Sequence, residues 1–161
     1  MEMDRTPTHE DYMREAMRAA QQAARMGEVP VGAVIVREGR IVARAHNLRE
    51  TRGDPTAHAE MEALRAASRL LEGWYLHGCT MYVTLEPCPM CAGALMQARL
   101  DGLYFGAYDL KAGCCGTLYN LPEDRRFPHR MTVQGGILAE ECAALLKGFF
   151  AARRAKEPKE E

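Results

Sequence analysis

The sequence predicts an α/β protein, with one mostly parallel or mixed sheet carrying helices on both faces. Three observations predict it. An amphipathic helical segment leads into two β-branched runs around a tight turn, and helical and extended segments then alternate along the chain, the order that builds layered α/β architectures. The apolar runs are strand-sized, Val31-Gly32-Ala33-Val34-Ile35-Val36 among them, and none approaches the roughly 18 residues of a membrane helix. No repeat or linker divides the 161 residues, a length that suits a single domain over 1–161.

The elements follow in order. Thr8 can cap a helix, with Glu10 and Asp11 in its first turn complementing the helix dipole. Tyr12, Met13, Ala16, Met17, Ala20, Ala23 and Ala24 then recur at helical spacing until Gly27 stops the segment. Val31–Val36 and Ile41–Ala45 form a hairpin across the turn at residues 37–40. Residues 47–55 read as a polar loop, His58–Leu71 as a helix and Thr80–Leu85 as a strand. Pro87 and Pro89 open a further helix reaching about Arg99, since proline is tolerated in a first turn. Gly102–Gly106 is a short strand. Residues 107–130 form a loop long enough to expect a function of it. Met131–Val133 is a last strand and Leu138–Arg154 a last helix, with the tail from about 155 to 161 expected to fray.

Composition narrows the function. Apolar residues make up 47% and charged ones 27%, which is globular usage. The 21 basic and 22 acidic residues leave a net charge of −1, which excludes a uniformly basic nucleic-acid coat but not a local patch. The first residues have no basic region followed by an apolar stretch, so no signal peptide is expected. Six cysteines, all in the second half, are too sparse for a disulfide scaffold. They point to a reducing, cytoplasmic setting and to thiols used for metal binding or chemistry.

The chemistry concentrates in two segments, Pro55-Thr56-Ala57-His58-Ala59-Glu60 and Glu86-Pro87-Cys88-Pro89-Met90-Cys91. Cys88 and Cys91 are three apart at a helix start, where they share a face and the helix dipole favours thiolates. Two thiolates and one imidazole suit Zn²⁺, and three protein ligands leave a tetrahedral position open for chemistry. Glu60 is then a carboxylate beside the metal and not on it. A structural zinc would need a fourth ligand, for which His46, His77, Cys79, Cys114 and Cys115 are available. A redox Cys-x-x-Cys would be expected in a thioredoxin-like context, which is absent here. The two halves together match H-x-E…P-C-x-x-C, the signature of the zinc deaminases.

The C-terminal stretch departs from the neutral average. Residues 125–156 carry seven cations, Arg125, Arg126, Arg130, Lys147, Arg153, Arg154 and Lys156, against Glu140 and Glu141. Phe149 and Phe150 precede the pair Arg153-Arg154. Aromatics for base stacking beside phosphate-facing arginines suit a single-stranded RNA loop. An amphipathic helix with one phenylalanine in the core fits the same residues, and the pattern does not say which one.

On these motifs the chain resembles the zinc-dependent nucleoside and nucleobase deaminases, and within them the bacterial tRNA adenosine deaminases. Val29-Pro30-Val31-Gly32-Ala33-Val34, Tyr82–Ala94, Phe105-Gly106-Ala107 and Asp109-x-Lys111-x-Gly113 also carry the likeness, which runs from about residue 9 to 154. The resemblance implies a three-layer α/β/α, cytidine-deaminase-like fold with a five-stranded mixed sheet between helices. It also implies conversion of adenosine to inosine at wobble position 34 of a tRNA anticodon, usually of an arginine tRNA. His58, Cys88 and Cys91 would hold one zinc per subunit, a zinc-activated hydroxide would attack C6, and Glu60 would shuttle the proton. The partners implied are the tRNA anticodon stem–loop and a second copy of the chain, in a homodimer with shared active sites. Asn47 would face the base or ribose, Asp109 the sugar and Lys111 the backbone. Read locally, Asn47 is an Asx turn and the other two are solvated loop charges. Tyr108 and Leu48 stand where that family often carries arginine, and Cys114 and Cys115 replace small residues.

Overall fold

The computed structural model describes residues 5–156. Its elements are α1 (His9–Arg25), β1 (Gly32–Arg37), β2 (Arg40–His46), α2 (Arg49–Arg52), α3 (Ala59–Leu70), β3 (Cys79–Leu85), α4 (Pro89–Gln97), β4 (Gly102–Ala107), β5 (Thr132–Gln134) and α5 (Ala139–Lys156). The strands lie in the order β2-β1-β3-β4-β5. β1 is antiparallel to β2 and β3, whereas β4 and β5 run parallel to β3. The sheet is therefore mixed and five-stranded, and helices cover both faces.

The strand pleat sorts side chains between two cores. Ala33, Ile35, Met81, Val83, Leu103 and Phe105 point to one face and are buried with Ala63 and Ala67 of α3 and Ala92 and Leu95 of α4. Val34, Val36 and Tyr82 point to the other and meet Met13 and Ala16 of α1 and Cys142 of α5. Central strands buried on both faces explain why Val31–Val36 reads as a continuous apolar run rather than an alternating one.

The start of α1 behaves as its sequence predicts. The Asp11 N–H donates to Thr8 Oγ1 at 3.1 Å and the Thr8 N–H donates to the Asp11 carboxylate at 2.8 Å, a reciprocal capping box. Two features differ from expectation. The polar loop at 47–55 contains the short helix α2, and α5 continues through Ala155 and Lys156, so the fraying expected from about 155 does not begin there. The rest of that tail, 157–161, lies outside the described residues. Among the described residues no helix is long and apolar enough to cross a membrane.

Gly32 is where α1 lies down on the sheet. A Cβ at this position would overlap the Ala16 carbonyl oxygen and lie 2.5 Å from the Ala20 nitrogen. Both are backbone atoms of a helix and cannot move aside. Gly32→Ala should therefore cost about 2–3 kcal/mol through overpacking, read as a lower urea midpoint for the zinc-loaded protein. An unchanged midpoint would contradict this account of the α1–β1 contact.

Candidate functional site

Two helices begin at the same place. His58 is the N-cap residue of α3 and Cys88 that of α4. N-cap side chains ordinarily accept a backbone N–H of their own helix, and neither of these does. They turn towards each other instead. His58 Nδ1 lies 3.7 Å from Cys88 Sγ and 3.5 Å from Cys91 Sγ. The three ligand atoms all fall within 4.8 Å of one another, and among the described residues no other His, Cys, Asp or Glu completes such a group.

Local structure explains the presentation. Asp54 Oδ1 accepts the N–H and the hydroxyl of Thr56, each at 2.8 Å, and closes the turn from which His58 emerges. The backbone at His58 is still extended (φ −74°, ψ 155°). Helical periodicity therefore does not separate it from Glu60, the second residue of α3. Pro89 starts α4, leaving Cys91 in its first turn.

The donor set fits zinc. Bond lengths of about 2.3 Å to sulfur and 2.0–2.1 Å to nitrogen give N···S edges of about 3.6 Å in a tetrahedron, and the two observed N···S distances bracket that value. Cys88 is held down to about 4, first by the Cys91 thiol and then by the His58 ring. Cys91 is pushed up by the same contact with Cys88 and by burial, and His58 is raised by its bond to Cys88. The two thiols thus compete for one negative charge beside the imidazole, and a bound divalent cation would favour both as thiolates.

Glu60 is 4% exposed and stands beside the cluster without joining it. Burial pushes its carboxyl up to about 7. A group poised near neutrality can both take and give a proton.

The cluster forms the floor of a cavity of about 440 Å³ at the carboxyl end of β3. Ligands of α/β sheets gather at this end of the strands. Val29, Val31 and Leu85 give it apolar walls, and Asn47, Asp109, Arg49 and Lys111 give it polar ones. Asn47 is buried, donates from Nδ2 to the Val29 carbonyl at 3.3 Å and accepts the Arg49 N–H at 3.1 Å. Asp109 Oδ1 accepts the N–H groups of Lys111 and Ala112 at 3.0 and 3.1 Å. The local reading of Asn47 as an Asx turn thus holds, whereas Asp109, read locally as a solvated loop charge, is half-buried and closes a turn of its own; both residues also line the cavity.

Two buried carboxylates hold these walls; the sequence reading passed over Glu28 and quoted Glu86 within the cysteine motif without giving it a role. Glu28, fully buried, accepts the N–H groups of Glu50 and Thr51 at 3.0 and 2.7 Å and so caps α2. Glu86, 2% exposed, accepts the N–H groups of Asp109, Cys115 and Thr117. The available signal was positional: each is a lone charge flanking a buried apolar strand.

The other residues singled out from the sequence are distributed as follows. Phe150, and not Phe149, lines the cavity, because consecutive helical positions point about 100° apart. Arg153 and Arg154, three and four positions on, share the face of Phe150 and are exposed. The structure does not bring Arg130 to the cavity. It precedes β5, whose pairing with β4 begins at Thr132↔Gly102, whereas the cavity lies at the Leu85↔Ala107 end, about 17 Å of strand away. None of the alternative ligands reaches the cluster. Cys79, Cys114 and Cys115 are buried in the core, and His77 is a surface residue 3.8 Å from Asp101. His46 Nδ1 lies 3.0 Å from the Asn47 carbonyl. Leu48 has no charge to offer, but its neighbour Arg49 places a cation in the cavity.

Comparison with known proteins places the whole chain. The family model of MafB19-like deaminases matches residues 7–154. A tRNA-specific adenosine deaminase of Bacillus subtilis is 52% identical over 145 residues, covering 90% of each chain. One of Aquifex aeolicus is 45% identical over 141 residues, covering 88% of this chain and 93% of that one. A structure from work on A-to-I editing by tRNA:A34 deaminases superimposes with a TM-score of 0.81 at 39% identity, over 84% of this chain and 98% of the other. The His/Cys/Cys cluster, the fold and these relatives agree: the chain belongs to the tRNA-specific adenosine deaminase family of zinc-dependent deaminases.

Proposed function

We propose that this chain hydrolyses adenosine to inosine at wobble position 34 of a tRNA anticodon, an arginine tRNA being the expected substrate. One observation carries the reading. A buried carboxyl that is not a ligand, Glu60, stands beside a three-ligand His/Cys/Cys cluster at the floor of a cavity walled by hydrogen-bonding groups and cations. When bound, zinc supplies the Lewis acidity that makes water nucleophilic near neutral pH.

The chain's own residues do the rest. Asn47 and the apolar walls receive a base extruded from its stack. Asp109 faces the sugar, and Lys111 and Arg49 meet the backbone. Glu60 takes a proton from the attacking water and delivers it to N1 of the purine. Once the water oxygen has added at C6, Glu60 takes the second proton from the new C6 hydroxyl and passes it to the exocyclic nitrogen, so that the C–N bond breaks, ammonia leaves and the C6 carbonyl forms. Arg153 and Arg154 extend the phosphate-facing surface beyond Phe150. Arg130, at the far end of the parallel strands, would serve only RNA that wraps beyond the cavity. A homodimer is the partner state the resemblance implies, and the exposed side chains Leu118, Tyr119 and Phe127 on the 107–130 loop are open to such a contact. Six free cysteines support a reducing, cytoplasmic setting.

The direct test is inosine formation by zinc-loaded protein. The expected substrate is an anticodon stem–loop with adenosine at the wobble position, and free adenosine, guanine and cytidine should remain untouched. Turnover of a free base or nucleoside, with the stem–loop unchanged, would move the chain to a sibling activity. Glu60→Gln should keep one zinc per chain and lose about 10²–10⁴-fold in kcat; retained turnover would remove Glu60 from proton transfer. Chelation should abolish turnover and leave the helical circular dichroism intact, because none of the three ligands belongs to either hydrophobic cluster. Unfolding on chelation would make the zinc structural. Neutralising Arg153 and Arg154 together should lower the salt slope of RNA binding by about 1.4–1.8, and an unchanged slope would take these residues off the RNA path.

A further inference from the structure

Glu86 lines the cavity and has no substrate contact assigned to it in the reading above, yet one wall of the cavity is built around it. Its Oε1 accepts the Asp109 N–H at 3.1 Å and the Thr117 hydroxyl, and its Oε2 accepts the N–H groups of Cys115 and Thr117 at 3.1 and 3.0 Å. Its own N–H donates to the Ala107 carbonyl at 2.9 Å. A Cβ at Gly113 would lie 2.5 Å from both carboxylate oxygens, so the loop closes over the carboxylate only because residue 113 has no side chain. Residues 109–117 thus fold around one buried side chain, and Asp109 and Lys111 line the cavity.

We propose that Glu86 is a positioning residue: it fixes the 109–117 loop at the distance from the metal cluster at which Asp109 and Lys111 meet the nucleotide, and so governs substrate affinity rather than the chemical step. This rests on the RNA reading above. Buried backbone N–H groups need acceptors, and here one side chain accepts three of them. Glutamine would present an NH₂ to N–H donors and lose half the acceptors. The loop would loosen without unfolding, because the Cys114 N–H still donates to the Pro87 carbonyl and the Gly113 N–H to the Asp109 carbonyl, both at 2.9 Å. His58 and Glu60 lie on a different element, and α4 still holds Cys88 through the Ala92 N–H at 2.8 Å. Groups that bind ground and transition states alike alter KM and leave kcat.

The test uses zinc-loaded Glu86→Gln, with Thr117→Val and Gly113→Ala as variants outside the metal motif. Amide exchange at 109, 115 and 117 is followed alongside steady-state kinetics on the stem–loop. Glu86→Gln should keep one zinc, speed exchange at all three amides by about tenfold, and raise KM by about tenfold with kcat within about threefold. Thr117→Val should shift both in the same direction by about threefold. Gly113→Ala should reproduce Glu86→Gln, and adding it to Glu86→Ala should change nothing further, since the carboxylate it displaces is already gone. Unchanged exchange would overturn the anchoring, faster exchange with unchanged KM would overturn its link to affinity, and a fall in kcat at constant KM would place Glu86 in the chemical step. Should wild type convert a free nucleoside and ignore the stem–loop, the RNA reading fails, and the same KM-against-kcat split on that nucleoside decides the positioning role.

Discussion

Two helix N-termini aimed at one point are the constraint that the rest of the molecule serves. A helix start concentrates unsatisfied N–H groups and partial positive charge, which stabilises thiolates and disfavours cations. Placing two such starts face to face needs a compensating set of ligands. His58 and Cys88 supply it by giving up their role as caps, and Cys91 completes it from the first turn of α4. The sheet explains how the two starts meet. β1 runs antiparallel to β3, so the chain leaving β2 and the chain leaving β3 reach the same edge, and each turns into a helix there.

What surrounds the cluster follows a second rule: irregular backbone near a buried site needs partners from elsewhere in the fold. Glu28 does this for the 47–51 wall and Glu86 for the 109–117 wall. The ionised form of Glu28 survives burial because the hydrogen bonds from Thr51 and Glu50 outweigh the loss of solvation, and its carboxyl stays below the ordinary range. For Glu60 burial outweighs the lowering by its own backbone N–H and by His58, and its carboxyl rises. One chain thus contains buried carboxylates with opposite behaviour, one kept charged as scaffold and one left free to exchange a proton.

The contrast also explains what could be read from the sequence. Features encoded locally were legible. The Thr8 cap, the hairpin, the proline at the start of α4 and the paired motifs around His58 and Cys88 all depend on neighbours within a few positions. Features encoded at long range were not. α2 has no cap of its own, because Leu48 cannot supply one and Glu28 does so from another segment. Arg130 belongs to the same basic stretch as Arg153, but parallel pairing of β5 with β4 carries it to the opposite end of the sheet. The choice of Phe150 over Phe149 depends on the rotation of α5 against the sheet, which composition does not specify. The likeness to a known family supplied the five-stranded sheet and the identity of the ligands; the anchoring carboxylates were visible only once the loops were in place.

The central claim is that the cluster is a three-ligand centre with one position left for chemistry, and X-ray absorption at the zinc edge of the loaded protein tests it most directly. The account predicts two sulfur scatterers near 2.3 Å and two nitrogen or oxygen scatterers near 2.0–2.1 Å, only one of them showing the outer-shell pattern of an imidazole. A third sulfur from Cys114 or Cys115, or a second imidazole, would close the coordination sphere. The site would then be structural, and its place in catalysis would be contradicted.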